Sequence, residues 1–130
     1  MRIYLDTAII IYLVEQKDPF FEKVAVRLAD PTVKLVASQM GRLEARVKPL
    51  RDRDNEILKI YDQFFIERIN ELVEITREVI DTATELRAKY NFKTPDSLHL
   101  AAAINSGCEV FFTNDHRLDR CTEIKIEILA

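Results

Sequence analysis

The chain has no tryptophan, two glycines, two cysteines and four prolines among its 130 residues, and each scarcity removes a class of chemistry. With only Gly41 and Gly107 to spend, it can build neither a Walker loop nor a dinucleotide fingerprint, both of which need several glycines close together. Cys108 and Cys121 have no CxxC spacing and no nearby histidine pair, so they read as structural thiols rather than zinc ligands or a redox couple. Neither HExxH nor GxSxG occurs, which removes zinc-peptidase and serine-hydrolase chemistry. Asp52-Arg53-Asp54-Asn55 begins like a calcium loop but lacks the later glycine and glutamate, and reads as a helix cap. The apolar run Ile9 to Val14 stops at Glu15, far short of the ~20 residues of a membrane span, and lacks the basic flank of a signal peptide. No membrane association and a cytoplasmic location are therefore expected. A formal charge of −3 argues against a surface that attracts nucleic acid everywhere, so a polyanionic substrate needs a metal or a local basic stripe.

What is present is an alternation of short β-rich runs and longer helical ones. With 48% of its residues apolar, a chain of this length can bury one core, so a single domain over residues 1–130 is expected. Ile3 to Leu5 reads as a first strand, followed by helical stretches from Thr7 to Glu15 and from Phe20 to Ala29, interrupted at Asp18-Pro19. Asp30-Pro31 turns the chain into a second strand, Val33 to Ala37. Ser38 caps a helix that carries Glu44 and stops near Pro49. Ile57, Leu58, Tyr61, Phe64 and Phe65 recur at helical spacing between Asp54 and Glu67. A third strand is expected at Leu72 to Ile75, then a helix capped by Thr76 that ends at Asn91. Thr94-Pro95-Asp96 opens another helix, with proline at the first helical position and the acid complementing the dipole, and Gly107 stops it. Strands at Val110 to Thr113 and Lys125 to Leu129 close the chain. Helices between successive strands predict an α/β fold, three layers in α/β/α order around a mostly parallel sheet of about five strands.

Four acids stand out in that frame. Asp6 ends the first strand, Asp115 follows the fourth, Asp96 opens an apolar helix, and Glu44 sits on the second turn after Ser38. Taken singly each is ordinary: Asp6 and Asp115 as N-cap or Asx-turn residues, Glu44 as a solvated helix acid, Asp96 as a first-turn acid. That reading leaves unexplained why two acids end strongly apolar strands, at the carboxyl ends where open α/β sheets bind ligands, while a third is anchored on a helix whose following residues, Leu98 and Leu100 to Ile104, belong in the core. If the fold brings them together, they form a carboxylate cage suited to a divalent metal. Mg²⁺ prefers oxygen ligands and keeps several waters, so one or two direct carboxylates suffice.

The densest basic cluster is Arg42, Arg46, Lys48, Arg51 and Arg53, either a solvated helix face balanced by Glu44, Asp52 and Asp54 or a strip of contacts to a polyanionic substrate, with Arg42, Arg46 and Lys48 the candidates. His99, one turn after Asp96, reads as a packing or capping residue rather than a general base.

Leu5-Asp6-Thr7, Ser38 with Glu44 six residues on, Pro95-Asp96-Ser97-Leu98-His99-Leu100-Ala101 and Thr113-Asn114-Asp115 resemble, in order and spacing, the motifs of PIN-domain ribonucleases, most closely the bacterial VapC-type toxins. Ala8 departs from the pattern, since many members carry asparagine after the Asp-Thr pair. The resemblance implies metal-dependent RNA hydrolysis with Mg²⁺ or Mn²⁺ at Asp6, Glu44, Asp96 and Asp115, supported by Thr7, Ser38, Thr113 and Asn114. It also implies a small antitoxin partner and a homodimer. Two other readings stay open. One is a Mg²⁺-dependent phosphohydrolase using Asp6 as nucleophile, although such sites usually carry a second acid where Ala8 stands. The other is a non-catalytic interaction module presenting Phe20, Phe21, Phe64 and Phe65.

Overall fold

Strand β1 (Arg2–Leu5) lies at the centre of a five-stranded sheet in the computed structural model, which describes all 130 residues. The sheet order is β3-β2-β1-β4-β5, where β2 is Lys34–Ser38, β3 Glu71–Val73, β4 Val110–Thr113 and β5 Lys125–Ile128. Every pairing is parallel. The expected parallel sheet of five strands is present, and β5 joins it as a parallel edge strand although only a short 3-10 helix (His116–Arg120) precedes it. β4 is buried along its whole length and β1 over Ile3 to Leu5, as expected for strands covered on both faces.

The alternation of side chains along β1 divides the core in two. Ile3 and Leu5 face a layer made by α1 (Thr7–Val14), α2 (Phe21–Arg27), α4 (Asn55–Glu67) and Ala45 of α3 (Gln39–Arg51). Tyr4 faces the other way, into the layer of α5 (Arg77–Tyr90) and α6 (Thr94–Asn105), where it stacks on Phe111. α6 is buried on all sides from Ser97 to Ala103, and its three consecutive alanines let its backbone approach the sheet and α5 closely. A larger side chain at Ala102 would overpack that contact at a cost of about 1–3 kcal/mol. No helix is long and apolar enough to cross a membrane.

The caps at Ser38, Asp54 and Thr76 are as expected, each side chain accepting from an amide of the first turn. Asn91 closes α5 in the left-handed conformation. α3 ends at Arg51, two residues past Pro49, which sits inside its last turn, where the ring forfeits one bond while the amide of Asp52 still reaches the Lys48 carbonyl at 2.9 Å. α2 is shorter than expected, and β3 ends two residues early, because its register is set by pairing with Val36 to Ser38. Phe64 and Phe65 are buried in the core, so they offer no surface to a partner.

β2 and β3 lie to one side of β1, and the chain then crosses to β4 and β5 on the other. The direction of winding changes between β1 and β4, and the crevice beyond their carboxyl ends is where such sheets bind ligands. Asp6 and Asp115 follow those two ends.

Candidate functional site

The backbone of Asp6 continues the β1–β4 ladder, its amide donating to the Phe112 carbonyl at 3.0 Å. Its carboxylate is held at both oxygens: the Thr7 amide donates to Oδ1 at 2.9 Å and the Thr113 hydroxyl to Oδ2 at 2.7 Å. Asp6 is therefore the N-cap of α1 and also a rigid acid in the crevice. Asp115 likewise caps the 3-10 helix through the Arg117 amide at 3.0 Å. Its own amide donates to Thr113 Oγ1 at 3.0 Å, so one threonine hydroxyl links the two acids. Asn114 points elsewhere, donating to the Tyr12 hydroxyl at 2.6 Å.

Asp96 completes a group of three. Burial first, then the negative charges of Asp6 and Asp115, raise its pKa above the ordinary value against the opposing pull of Arg117 and His99. An acid that feels the charge of two others and resists ionisation marks a site short of positive charge. Arg117 supplies part of it. Its guanidinium makes a bidentate pair with Asp115 (Nε to Oδ1 3.0 Å, Nη2 to Oδ2 2.6 Å) and lies 4.0 Å from Asp96. That pairing, helped by Lys93, holds the Asp115 carboxyl below its usual range.

Glu44 is joined to this group through His99 and Thr7. The imidazole is buried, with Nε2 2.6 Å from Glu44 Oε1 and 3.9 Å from Asp6 Oδ1. An unprotonated nitrogen that close to a carboxylate would set lone pair against lone pair, so Nε2 carries a proton and donates to Glu44. The Thr7 hydroxyl donates to the same oxygen at 2.7 Å. Half-burial alone would raise the Glu44 pKa, but the His99 and Thr7 hydrogen bonds and the imidazole's charge outweigh it and leave the carboxyl below its ordinary value. Behind the ring, the Tyr4 hydroxyl shares hydrogen bonds with His99 Nδ1 and Ser38 Oγ, each at 2.7 Å. Burial pushes that phenol far above its ordinary range, so it stays protonated. Ser38 also accepts weakly from the Gly41 amide at 3.4 Å.

The acids are thus linked as a triad, Asp6, Asp96 and Asp115, through Thr113 and Arg117, with Glu44 joined to it through His99 and Thr7. No three acid, histidine or cysteine side chains converge on a ready-made coordination sphere. The donor set nonetheless fits a hard divalent cation that keeps most of its waters, because such an ion needs only one or two direct carboxylates and would relieve the charge that raises Asp96.

His99 is more than the packing residue expected from its sequence, since it joins Glu44 to Tyr4 and Ser38. One signal could have found it: α6 carries a histidine in a run of otherwise small or apolar residues, three positions after an acid. Arg117 left no such signal, because its role depends on where the 3-10 helix folds back. Among the candidate RNA contacts on α3, Arg46 pairs with Asp62 at 2.8 Å, and Lys48 lines a hollow with Glu15, Asp52 and Asp54.

Compared by sequence with curated proteins, the chain matches none. In structure it resembles a chain of VapBC-1 from nontypeable Haemophilus influenzae, with a TM-score of 0.81 at 19% identity over 99% of this chain and 98% of that one. A chain of VapBC2 from Rickettsia felis, solved bound to a DNA fragment from its promoter, gives 0.80 at 18% identity over the whole of both chains. VapC20 of Mycobacterium tuberculosis, a sarcin-ricin-loop-cleaving toxin, gives 0.74 at 14% identity over 95% of this chain and 98% of that one. These likenesses describe a shared fold. The family model of the PIN domain matches residues 3–124, nearly the full length, and the chain therefore belongs to the PIN-domain family.

Proposed function

We propose that this protein is a divalent-metal-dependent endoribonuclease, the toxin half of a VapBC-like toxin–antitoxin pair. The observation that carries the reading is the placing of Asp6 and Asp115 just beyond the carboxyl ends of β1 and β4, at the change of winding, with Thr113 bridging the two residues and Arg117 reaching from Asp115 to Asp96. The PIN family and the VapC folds to which the chain is similar support it. A small antitoxin, a homodimeric state and a cytoplasmic location are proposed on the same likeness.

Mg²⁺ or Mn²⁺ held by Asp6, Asp96 and Asp115 would supply positive charge for the phosphoryl oxygens and acidify an attacking water. The protein's share of the work is orientation. Thr7 and Thr113 fix both oxygens of Asp6, and Arg117 fixes Asp115 while neutralising part of its charge. His99 and Thr7 keep Glu44 ionised through Oε1, leaving Oε2 to accept a hydrogen bond or a proton from the water that attacks phosphorus. No side-chain nucleophile is needed, which separates this reading from the phosphohydrolase alternative.

The test is incubation of total cellular RNA with antitoxin-free protein and Mg²⁺ or Mn²⁺, beside a chelator control and the Asp6→Asn and Asp96→Asn variants. Discrete cuts that disappear in all three controls are expected. Cuts of equal yield by both variants would assign the activity to something other than the triad.

A further inference from the structure

Lys93, His116, Arg117 and Arg120 line a cleft of about 460 Å³ between the start of α6 and the 3-10 helix, with Asp96 also in its lining. We propose that this cleft seats the phosphate of the RNA strand adjoining the one being cut, together with its nucleoside. The proposal rests on the ribonuclease reading and goes beyond it by choosing the side from which the strand enters and the residues that hold it.

The volume falls within the roughly 300–1,000 Å³ of small-ligand sites, and the lining selects for an anion. In a chain of net charge −3, this hollow gathers three permanent cations and one histidine against a single acid. Its two apolar residues, Phe92 and Leu118, are buried, so it offers little to an apolar peptide or lipid. Lys93 is exposed and, as the N-cap of α6, makes no side-chain cap bond. The amides of Thr94 and Asp96 open the helix without carbonyl partners inside it, a further attraction for a phosphate oxygen. Arg120 is pre-positioned: its Nη2 donates to the Tyr90 carbonyl at 3.0 Å and its guanidinium lies 4.8 Å from the Phe92 ring centre. Arg117 joins cleft to acids, bound to Asp115 on one side and largely exposed on the other. Two of the α3 cations are already engaged, Arg46 tied to Asp62 and Lys48 lying among acids. A strand whose scissile phosphate sits at the triad therefore continues toward α6 and the 3-10 helix, away from α3.

Protein kept in chelator holds RNA without cutting it, so the affinity for a short fluorescent single-stranded RNA can be followed by anisotropy across a salt series. Lys93→Gln, an exposed change, should weaken binding about three- to tenfold at low salt. It should also make the slope of log affinity against log salt shallower by ~0.7, the value for one lost phosphate contact on a single strand. In the metal-loaded enzyme the same variant should raise KM more than it lowers kcat. A slope that moves in Lys48→Gln and stays put in Lys93→Gln would overturn the proposal in favour of α3. RNA cut equally well by parent and Lys93→Gln, with equal binding, overturns this site and leaves the ribonuclease reading standing. RNA bound through Lys93 but never cut overturns that reading and leaves the site. RNA neither bound nor cut overturns both.

Discussion

His99 Nε2 meets Glu44 Oε1 at 2.6 Å, and this contact joins an acid on α3 to the buried face of α6. The ring's far nitrogen is held by Tyr4, which Ser38 holds in turn. Two helices and two strands thereby fix one carboxylate, and the arrangement predicts how the site responds when a link is cut.

Tyr4→Phe removes the hydroxyl while keeping the ring that stacks on Phe111. His99 Nδ1 and Ser38 then lose a buried partner, which should cost about 1–3 kcal/mol. Urea unfolding measures the loss, and an unchanged midpoint would show that the network contributes nothing to stability.

Asp96→Asn should make the metal-free protein more stable at neutral pH, by up to about 1 kcal/mol. The folded-state pKa of Asp96 is raised, so the folded protein binds this proton more tightly than the unfolded chain and loses stability as pH rises through the carboxylate range. The advantage of the variant should therefore be present at pH 7 and fade below the ordinary value of 3.8. Thermal melts at several pH values decide it, and a variant that melts lower at neutral pH contradicts the electrostatic account.

Mg²⁺ or Mn²⁺ should raise the melting temperature of the parent. A ligand at about 100 times its Kd adds about 2.7 kcal/mol if it binds only the folded state. The gain should disappear in a double Asp6→Asn, Asp96→Asn variant. Equal stabilisation of parent and double variant would place the ion elsewhere.

Glu123 offers a contrast of opposite sign. Its hydrogen bond from Tyr90 above all, against the opposing cost of burial and with help from the hydrogen bond and charge of Lys89, lowers its pKa from 4.5 to about 2. A depressed carboxyl stabilises above its unfolded value and loses that contribution as pH falls through its folded one. Glu123→Gln should cost ~1 kcal/mol or less at pH 7, since the side chain is about a third exposed and solvent screens the pair. The difference should shrink between pH 4.5 and pH 2. Parallel denaturation curves for parent and variant across that window are the check.

Gly41→Ala should stabilise the fold by about 0.5–1 kcal/mol, the usual gain from replacing glycine inside a helix. An added Cβ would lie 3.7 Å from His99 and 3.8 Å from Thr7 and Ile10, ordinary contact distances. Chemical denaturation with RNA cleavage measured alongside tests both halves, and a loss of stability would mean that α3 must sit closer to His99 than its backbone does here.

The sequence by itself determined the order of helices and strands, most of the helix caps and the placing of Asp6, Asp96 and Asp115 at element ends. Those features depend on near neighbours: apolar periodicity, a serine, threonine or aspartate ahead of a helix, and proline at its first turn. Tertiary structure decided the rest. The parallel course of β5 could not be read from Lys125 to Leu129, because alternation is the same in either direction. The end of α3 beyond Pro49 depended on how little one lost bond costs in a last turn. His99 looked like packing because its partners, Glu44 and Tyr4, lie 55 and 95 residues away. Arg117 and Arg120 became neighbours of Asp96 only when the 3-10 helix folded against α6. Long-range contacts of this kind follow from the winding order of the sheet, which brings the ends of β1 and β4 side by side although more than a hundred residues separate Asp6 from Thr113.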